Sequence, residues 1–267
     1  MRATVFGASG FVGSRLVEQL HTDGFEVRSV LRGDAGWRDE ALGHTFFCIG
    51  LTADFRQRPL DTLDAHVGAA TEILRHGRFD SFLYLSSTRV YAGAAIARED
   101  MPISVDPSDP SDLYNLSKLT GEAACLALAR PEVRVARLSN VFGPGMDQAN
   151  FLGSILADAA AGRPVRLGQA ADSAKDYVAV DDVVEALVVI ARDGTERLYN
   201  VASGVDTTHG EILAGLESLT GRPGEIAAGA LTVRFPRIDV SRLRALMDWR
   251  PVAVLERLEG LLAHMRA

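Results

Sequence analysis

Only two cysteines, Cys48 and Cys125, occur among the 267 residues. They are far apart and in no ligand spacing, which excludes a disulfide scaffold and fits a reducing cytosol. The six histidines show no pairing of the HxxxH kind, so neither a structural nor a catalytic metal site is expected. Positive charge is in deficit, with 28 Lys plus Arg against 35 Asp plus Glu and a net charge of -7. A general nucleic-acid binder would show a basic surplus, so no nucleic-acid partner is expected. A local basic pocket for a phosphorylated small molecule remains open. The longest apolar run, Val183 to Ala191, is broken by Glu185. It falls short of the roughly eighteen residues a membrane helix needs, so no membrane association is expected. Met1 to Gly7 leads straight into a strand-like segment with no apolar leader core, and the expected location is cytoplasmic. Lysine is nearly absent as well: Lys118 and Lys175 are the only two. Composition bias explains the scarcity, and it makes their positions informative. Repeats and low-complexity tracts are lacking.

What is present is alternation. Arg2 to Phe6 reads as a strand, Phe11 to His21 as a helix, and Glu26 to Leu31 and Thr45 to Ile49 as strands. Thr62 to His76 reads as a helix, Ser81 to Leu85 as a strand, Leu113 to Arg130 as a helix and Val133 to Leu138 as a strand. This order predicts an α/β fold, a Rossmann-type doubly wound parallel sheet with helices on both faces. Arg32 to His44 is only thirteen residues. A full crossover with its strand cannot fit there, so the sheet is expected to be one strand short in its first half. After Asn140 the pattern changes. Residues 1–140 are expected to form the dinucleotide-binding domain and 141–267 mainly a small C-terminal substrate lobe, with about 177–204 returning to the main domain. Helices are expected over Phe151–Ala161, Asp181–Ala191, Gly210–Leu219, Ser241–Met247 and Val254–Met265, and strands at Val165–Leu167, Tyr177–Val180 and Leu198–Val201.

Three constellations carry chemistry. Gly7-Ala8-Ser9-Gly10-Phe11-Val12-Gly13 follows a strand and opens a helix. There the glycines allow a tight turn, close approach to a pyrophosphate and close helix–sheet packing, and the helix start offers free N–H groups to phosphate. Arg32 stands at the end of the second strand, where an arginine pairs with a 2′-phosphate and an acid would hold a ribose 2′-hydroxyl. The reading therefore favours NADP over NAD; Asp34, two residues on, is the acidic alternative. The third is Tyr114-Asn115-Leu116-Ser117-Lys118, with Tyr114 and Lys118 on one helix face, and Ser87 just past a strand upstream. A phenol is a poor base at neutral pH, with a reference pKa of about 10. A nearby ammonium and an oxidised nicotinamide lower that value. Tyr114 is the candidate acid/base, Lys118 its electrostatic tuner and Ser87 the donor that orients the reacting oxygen.

These segments, GASGFVG at 7–13, YLSSTRVY at 84–91 and YNLSK at 114–118, resemble the extended short-chain dehydrogenase/reductases. The nearest group is the NAD(P)-dependent sugar-nucleotide epimerase/dehydratase family. The likeness continues through 137–145, 175–182, 198–204, 239–242 and 249–251, nearly the whole chain. It implies hydride transfer on a sugar nucleotide or a related hydroxyl or keto substrate, as oxidoreductase or epimerase. It also implies substrate contacts from Ser87, Asn140 and Asn150, a diphosphate contact from Lys175, and a homodimer. Asp181 and Asp182 read as helix caps. Arg234 and Arg237 remain unassigned. Thr88-Arg89 stand where family dehydratases carry Asp-Glu, which disfavours 4,6-dehydration. Cys48-Ile49-Gly50 departs from the small-residue alanine pair near the cofactor. A non-catalytic NADP-binding sensor is the alternative, and the joint presence of Ser87, Tyr114 and Lys118 counts against it.

Overall fold

Short β-branched and aromatic runs become strands here because each is covered on both faces. The computed structural model describes residues 1–52 and 54–266; Ala53 and Ala267 lie outside the described residues. Strand β1 (Arg2–Phe6) leads through the Gly7–Gly10 turn into helix α1 (Phe11–Thr22), whose Gly13, Leu16 and Leu20 are buried at helical spacing. Strand β2 (Glu26–Val30) pairs in parallel with β1. The chain then crosses through a 3-10 turn at Gly36–Asp39 into β3 (Ala41–Phe47), on the other side of β1. Helix α2 (Pro59–Leu63) and helix α3 (Ala69–His76) are joined by a π-helical turn at Asp64–Gly68. Strand β4 (Arg78–Ser87), helix α4 (Leu113–Ala127) and strand β5 (Val133–Leu138) complete this half. Side chains of β4 alternate between two cores: Phe82 and Tyr84 meet Ile73 and Cys125 on one face, Leu83 and Leu85 join Val184 and Leu187 on the other.

The sheet order is β2-β1-β3-β4-β5 and then the later strand β9 (Leu198–Val201), all parallel, with β2 at one edge. A doubly wound sheet of order 3-2-1-4-5-6 has a further strand outside its second. Among the described residues none stands there, because the chain turns directly into β3, which takes up Ala41 to His44 of the short interval. The second half contributes β6 (Asn140–Phe142), α5 (Phe151–Ala160), β7 (Arg166–Gln169), β8 (Ala174–Ala179), α6 (Val180–Asp193) and β9 (Leu198–Val201). It ends with β10 (Asp206–Thr208), α7 (His209–Thr220), β11 (Glu225–Leu231), α8 (Ser241–Leu246) and α9 (Val254–Arg266). β9 docks on β5, and α6 lies against α1 on the main sheet. A three-stranded sheet (β10-β8-β6) and a parallel pair (β11-β7) frame a second core of Leu152, Ile155, Ile212, Leu216 and Leu258.

Three strands differ from the sequence reading by being present at all. β6 and β10 have three residues each, too few for any periodicity. β11 is Glu-Ile-Ala-Ala-Gly-Ala-Leu, largely exposed, with no alternation of apolar and polar residues. Asp181 and Asp182 are not caps: the N-cap of α6 is Ala179, with no side-chain bond. Asp181 pairs with Arg15 at 2.6 Å, and Asp182 Oδ2 accepts from the Val252 backbone N–H at 2.9 Å. Both are thereby spent on joining α6 to α1 and to the segment before α9. Among the described residues no helix is long and apolar enough to cross a membrane.

Buried polar contacts lock α4 to the sheet and reach β9 in the second half. Arg137 on β5 grips Glu122 on α4, Nε to Oε1 at 2.9 Å and Nη2 to Oε2 at 2.5 Å, with both side chains almost wholly buried. Arg137 Nη1 donates to the Tyr91 hydroxyl at 2.7 Å, which donates to Asn200 Oδ1 on β9 at 2.9 Å. Removing one member of such a pair strands the other charge. Glu122→Ala is expected to cost about 3–5 kcal/mol of unfolding free energy in urea titrations. A loss under about 1 kcal/mol would mean the pair does not hold α4 to the sheet.

Candidate active site

The loop after β1 is shaped for close approach. Gly7 has φ +82°, and a Cβ there would sit 2.9 Å from the backbone of Cys48 and Ile49. A Cβ on Gly13 would meet the Gly7 carbonyl oxygen at 2.1 Å. Glycine is therefore required at both positions, once for the turn and once for packing α1 onto it. No side chain caps the N-terminus of α1, and its first turn carries no acid. Its N-cap Gly10 lines a cleft of about 660 Å³ together with Gly7, Ser9, Arg32, Ile49 and Gly50 among others. An uncapped helix start beside a glycine turn is an anion site, and the cleft has the volume and shape for a dinucleotide. Phe11 and Val12, also predicted for the cofactor, form the first turn of that helix. Their side chains pack on the hydrophobic core, so what they offer a phosphate is backbone.

Arg32 lines the same cleft, past the end of β2. Asp34 lines it too, with its carboxylate held by protein groups. Its Oδ2 pairs with Arg28 at 3.1 Å and its Oδ1 accepts the Gly36 N–H at 2.9 Å. The cleft wall near Arg32 also contains Arg38, stacked on Trp37 at 4.6 Å and paired with Glu72 at 3.2 Å. The 3-10 turn that replaces a longer crossover is what brings Trp37 and Arg38 there.

Ser87, Tyr114 and Lys118 come together at the carboxyl end of β4. Tyr114 and Lys118 are one turn apart on the buried face of α4. Burial pushes the Tyr114 phenol up from its ordinary value, with the Ser87 hydroxyl and the Arg89 guanidinium opposing. Ser87 Oγ accepts from the Arg89 backbone N–H at 3.2 Å, which leaves its own proton to donate. Lys118 Nζ donates to the Leu85 carbonyl at 3.0 Å and would stand 3.7 Å from a Cβ on Gly50, so it reaches the floor of the cofactor cleft. Burial pulls its pKa down to about 8, against the opposite pull of Glu122. The cation whose field reaches the phenol is Arg89, half-buried, with its guanidinium carbon 5.5 Å from the Tyr114 ring centre.

His66 was invisible as a site residue in the sequence. It lies in the π-helical turn, a feature frequent at functional sites, and is fully buried. Its Nε2 accepts from the Leu51 N–H at 3.0 Å, so Nδ1 carries the proton and bonds Ser117 Oγ at 2.7 Å. Ser117 in turn donates to the Tyr114 carbonyl at 2.8 Å. The ring meets Tyr114 edge-on at 5.4 Å. Burial and Lys118 hold His66 down at about 3, so it stays neutral. One imidazole thereby fixes the Gly50–Leu51 loop against the start of α4, setting the cofactor floor relative to the phenol.

The remaining predicted residues are scattered. Asn140 Nδ2 donates to the Asp176 carbonyl at 2.8 Å. Asn150 is the N-cap of α5, its Oδ1 accepting the Gly153 N–H at 2.7 Å. Lys175 is half-buried, with Nζ 4.6 Å from the centre of the Phe151 ring. Its pKa is lowered by burial and by the charge of Arg89. Arg234 pairs with Asp172 at 2.9 Å and Arg237 donates to the Gly204 carbonyl at 2.7 Å.

Residues 45–202 match the model of the NAD dependent epimerase/dehydratase family. The chain is similar to UDP-glucose 4-epimerase of Mycolicibacterium smegmatis, 28% identical over 96% of this chain and 95% of that protein. It is also similar to UDP-glucuronic acid decarboxylase 1 of Xenopus tropicalis, 25% identical over 97% of this chain and 70% of that protein. Among solved structures, MoeE5 in complex with UDP-glucuronic acid and NAD superposes with a TM-score of 0.83. It is 26% identical, covering 100% of this chain and 99% of that one. With a glycine turn and bare helix start facing a dinucleotide-sized cleft, and with the family model spanning more than half its length, this chain belongs to the NAD dependent epimerase/dehydratase family.

Proposed function

We propose that this protein is an NAD(P)-dependent oxidoreductase or epimerase of UDP-sugars, with Tyr114 as the proton carrier. The observation that carries the reading is the convergence of Tyr114, Ser87 and Lys118 where the dinucleotide cleft meets the carboxyl end of β4. Ligands of open α/β sheets bind at that end. The activities of the similar proteins, epimerisation of UDP-glucose and decarboxylation of UDP-glucuronic acid, support the substrate class. The lobe built from 141–267, apart from α6 and β9, receives the nucleotide and sugar.

The dinucleotide, when bound, supplies the hydride acceptor or donor. The chain's own residues manage the proton. In the reducing direction the phenol, kept protonated by burial, donates to the carbonyl oxygen of the substrate. In the oxidising direction the phenolate accepts the carbinol proton, and Arg89 and Ser87 are the groups that favour that form. Ser87, with its own proton free, holds the reacting oxygen in line. Lys118, beside Gly50 on the floor of the cleft, would help to hold the dinucleotide. With Thr88-Arg89 in place of an acid pair, no residue there removes the proton that 4,6-dehydration requires.

Tyr114→Phe is expected to lower turnover of the UDP-sugar by about 10²-fold or more while dinucleotide affinity changes little. Turnover within threefold of wild type would remove Tyr114 as the proton carrier. Arg32 supports an NADP preference, so calorimetry is expected to show NADPH bound at least tenfold more tightly than NADH. Arg32→Ala should abolish that ratio, and a wild-type preference for NADH would contradict it. The depressed Lys118 pKa has a stability consequence. Between about 8 in the folded chain and its ordinary value of 10.5, the unfolded chain holds a proton that the folded one has released. Stability therefore rises with pH through that window. Relative to Lys118→Met, the wild type is expected to gain about 1–2 kcal/mol from pH 8 to pH 9.5 in urea unfolding. A pH-independent difference would show that Lys118 is not held in a desolvated site.

A further inference from the structure

We propose that the sugar bound by this protein carries a carboxylate next to the reacting carbinol, and that the Arg89 guanidinium is the group that binds it. The inference rests on the UDP-sugar reading and names the chemical class of the sugar. Arg89 follows Ser87 by two residues, in the 3-10 turn at Thr88–Tyr91. That turn folds its side chain back across the phenol. Its guanidinium carbon lies 5.5 Å from the Tyr114 ring centre and 5.2 Å from that of Phe55. It is half-buried, and its contact with protein oxygen is a long one, Nη2 to the Ser111 carbonyl at 3.4 Å.

The charge has no counterpart. Several arginines pair with carboxylates, as Arg28 does with Asp34, Arg137 with Glu122 and Arg234 with Asp172, and part-buried Arg197 is instead held by three backbone carbonyls. Among the described residues no carboxylate lies within ion-pair distance of Arg89. The acids whose field reaches it are occupied. Asp112 accepts from the Asp106 N–H at 2.8 Å and from the Asn115 amide at 2.7 Å, and Asp109 from the Ser111 N–H at 2.7 Å. Lys175, with its ammonium on the Phe151 ring, is also without a carboxylate. Among the described residues neither cation touches a protein carboxylate, and Arg89 lies beside the acid/base. A diphosphate answers Lys175. Arg89 lies over the phenol itself, so its anion belongs to the part of the substrate that the phenol protonates. A planar fork of N–H donors matches a carboxylate bidentately, and a carboxylate on the carbon beside the reacting carbinol reaches it.

The test is calorimetry on the NADP⁺-loaded protein with UDP-glucuronic acid and UDP-glucose, for wild type and Arg89→Met. Wild type is expected to bind UDP-glucuronic acid at least tenfold more tightly than UDP-glucose, and Arg89→Met to bring the two within twofold. Dinucleotide titration of the variant establishes that it is folded, and the ratio of the two sugars is insensitive to a general loss of active protein. Equal affinities in wild type, or a tenfold ratio that survives in Arg89→Met, would overturn the carboxylate assignment while leaving the UDP-sugar reading in place. Binding of neither sugar nucleotide would overturn that reading, and the assignment with it.

Discussion

The Glu122 carboxylate, buried on α4 and gripped by Arg137 from β5, is the contact on which the geometry of the site depends. Glu122, Lys118 and Tyr114 recur every four residues on one face of that helix, so whatever locks one locks the others. The neighbouring strand answers position by position. Ser86 Oγ donates to Glu122, the Leu85 carbonyl accepts Lys118, and Ser87 stands beside Tyr114. Three successive residues at the end of β4 thus read three successive turns of α4. A buried ion pair is costly to assemble and costly to break, and here that asymmetry serves position: α4 has one depth and one rotation.

The same face sets the electrostatics. Lys118 and Tyr114 are both desolvated, so the ammonium gives up its proton more readily than in water and the phenol less readily. The groups that oppose this rise at the phenol are the Ser87 hydroxyl and then the Arg89 guanidinium. The lysine points to Leu85 and the Gly50 loop. The phenol therefore stands between two cations, Lys118 one turn on along α4 and Arg89 across its ring. His66, neutral and buried, sets the distance between the two halves by bonding Leu51 on one side and Ser117 on the other.

Economy of chain explains several other features. Skipping the outer strand brings Trp37 and Arg38 to the cleft beside Arg32, so that the wall on that side is built by a 3-10 turn. The second lobe is assembled from strands of three to seven residues and closes with α7, whose capping box Thr208–Glu211 and left-handed Gly221 define both ends. Asp182 and Trp249, whose Nε1 donates to the Ala202 carbonyl at 2.8 Å, return the last segment to the main body.

Local pattern by itself determined the parallel sheet, its missing outer strand, the phosphate turn and the pairing of Tyr114 with Lys118. Each depends on spacing along the chain: helical period, glycine positions, the length of one crossover. Tertiary structure alone decided the rest. β6, β10 and β11 exist because neighbouring strands supply partners, which no period within three residues or an Ala-Gly stretch can announce. Asp181 and Asp182 look like caps in sequence and act as ties, because α1 and the segment before α9 arrive there from far away. His66 and Arg89 are ordinary surface-type residues until a π-helical turn buries one and a 3-10 turn swings the other across the phenol. Spacing is written in the chain; which charge is left without a partner is known only once distant segments have taken theirs.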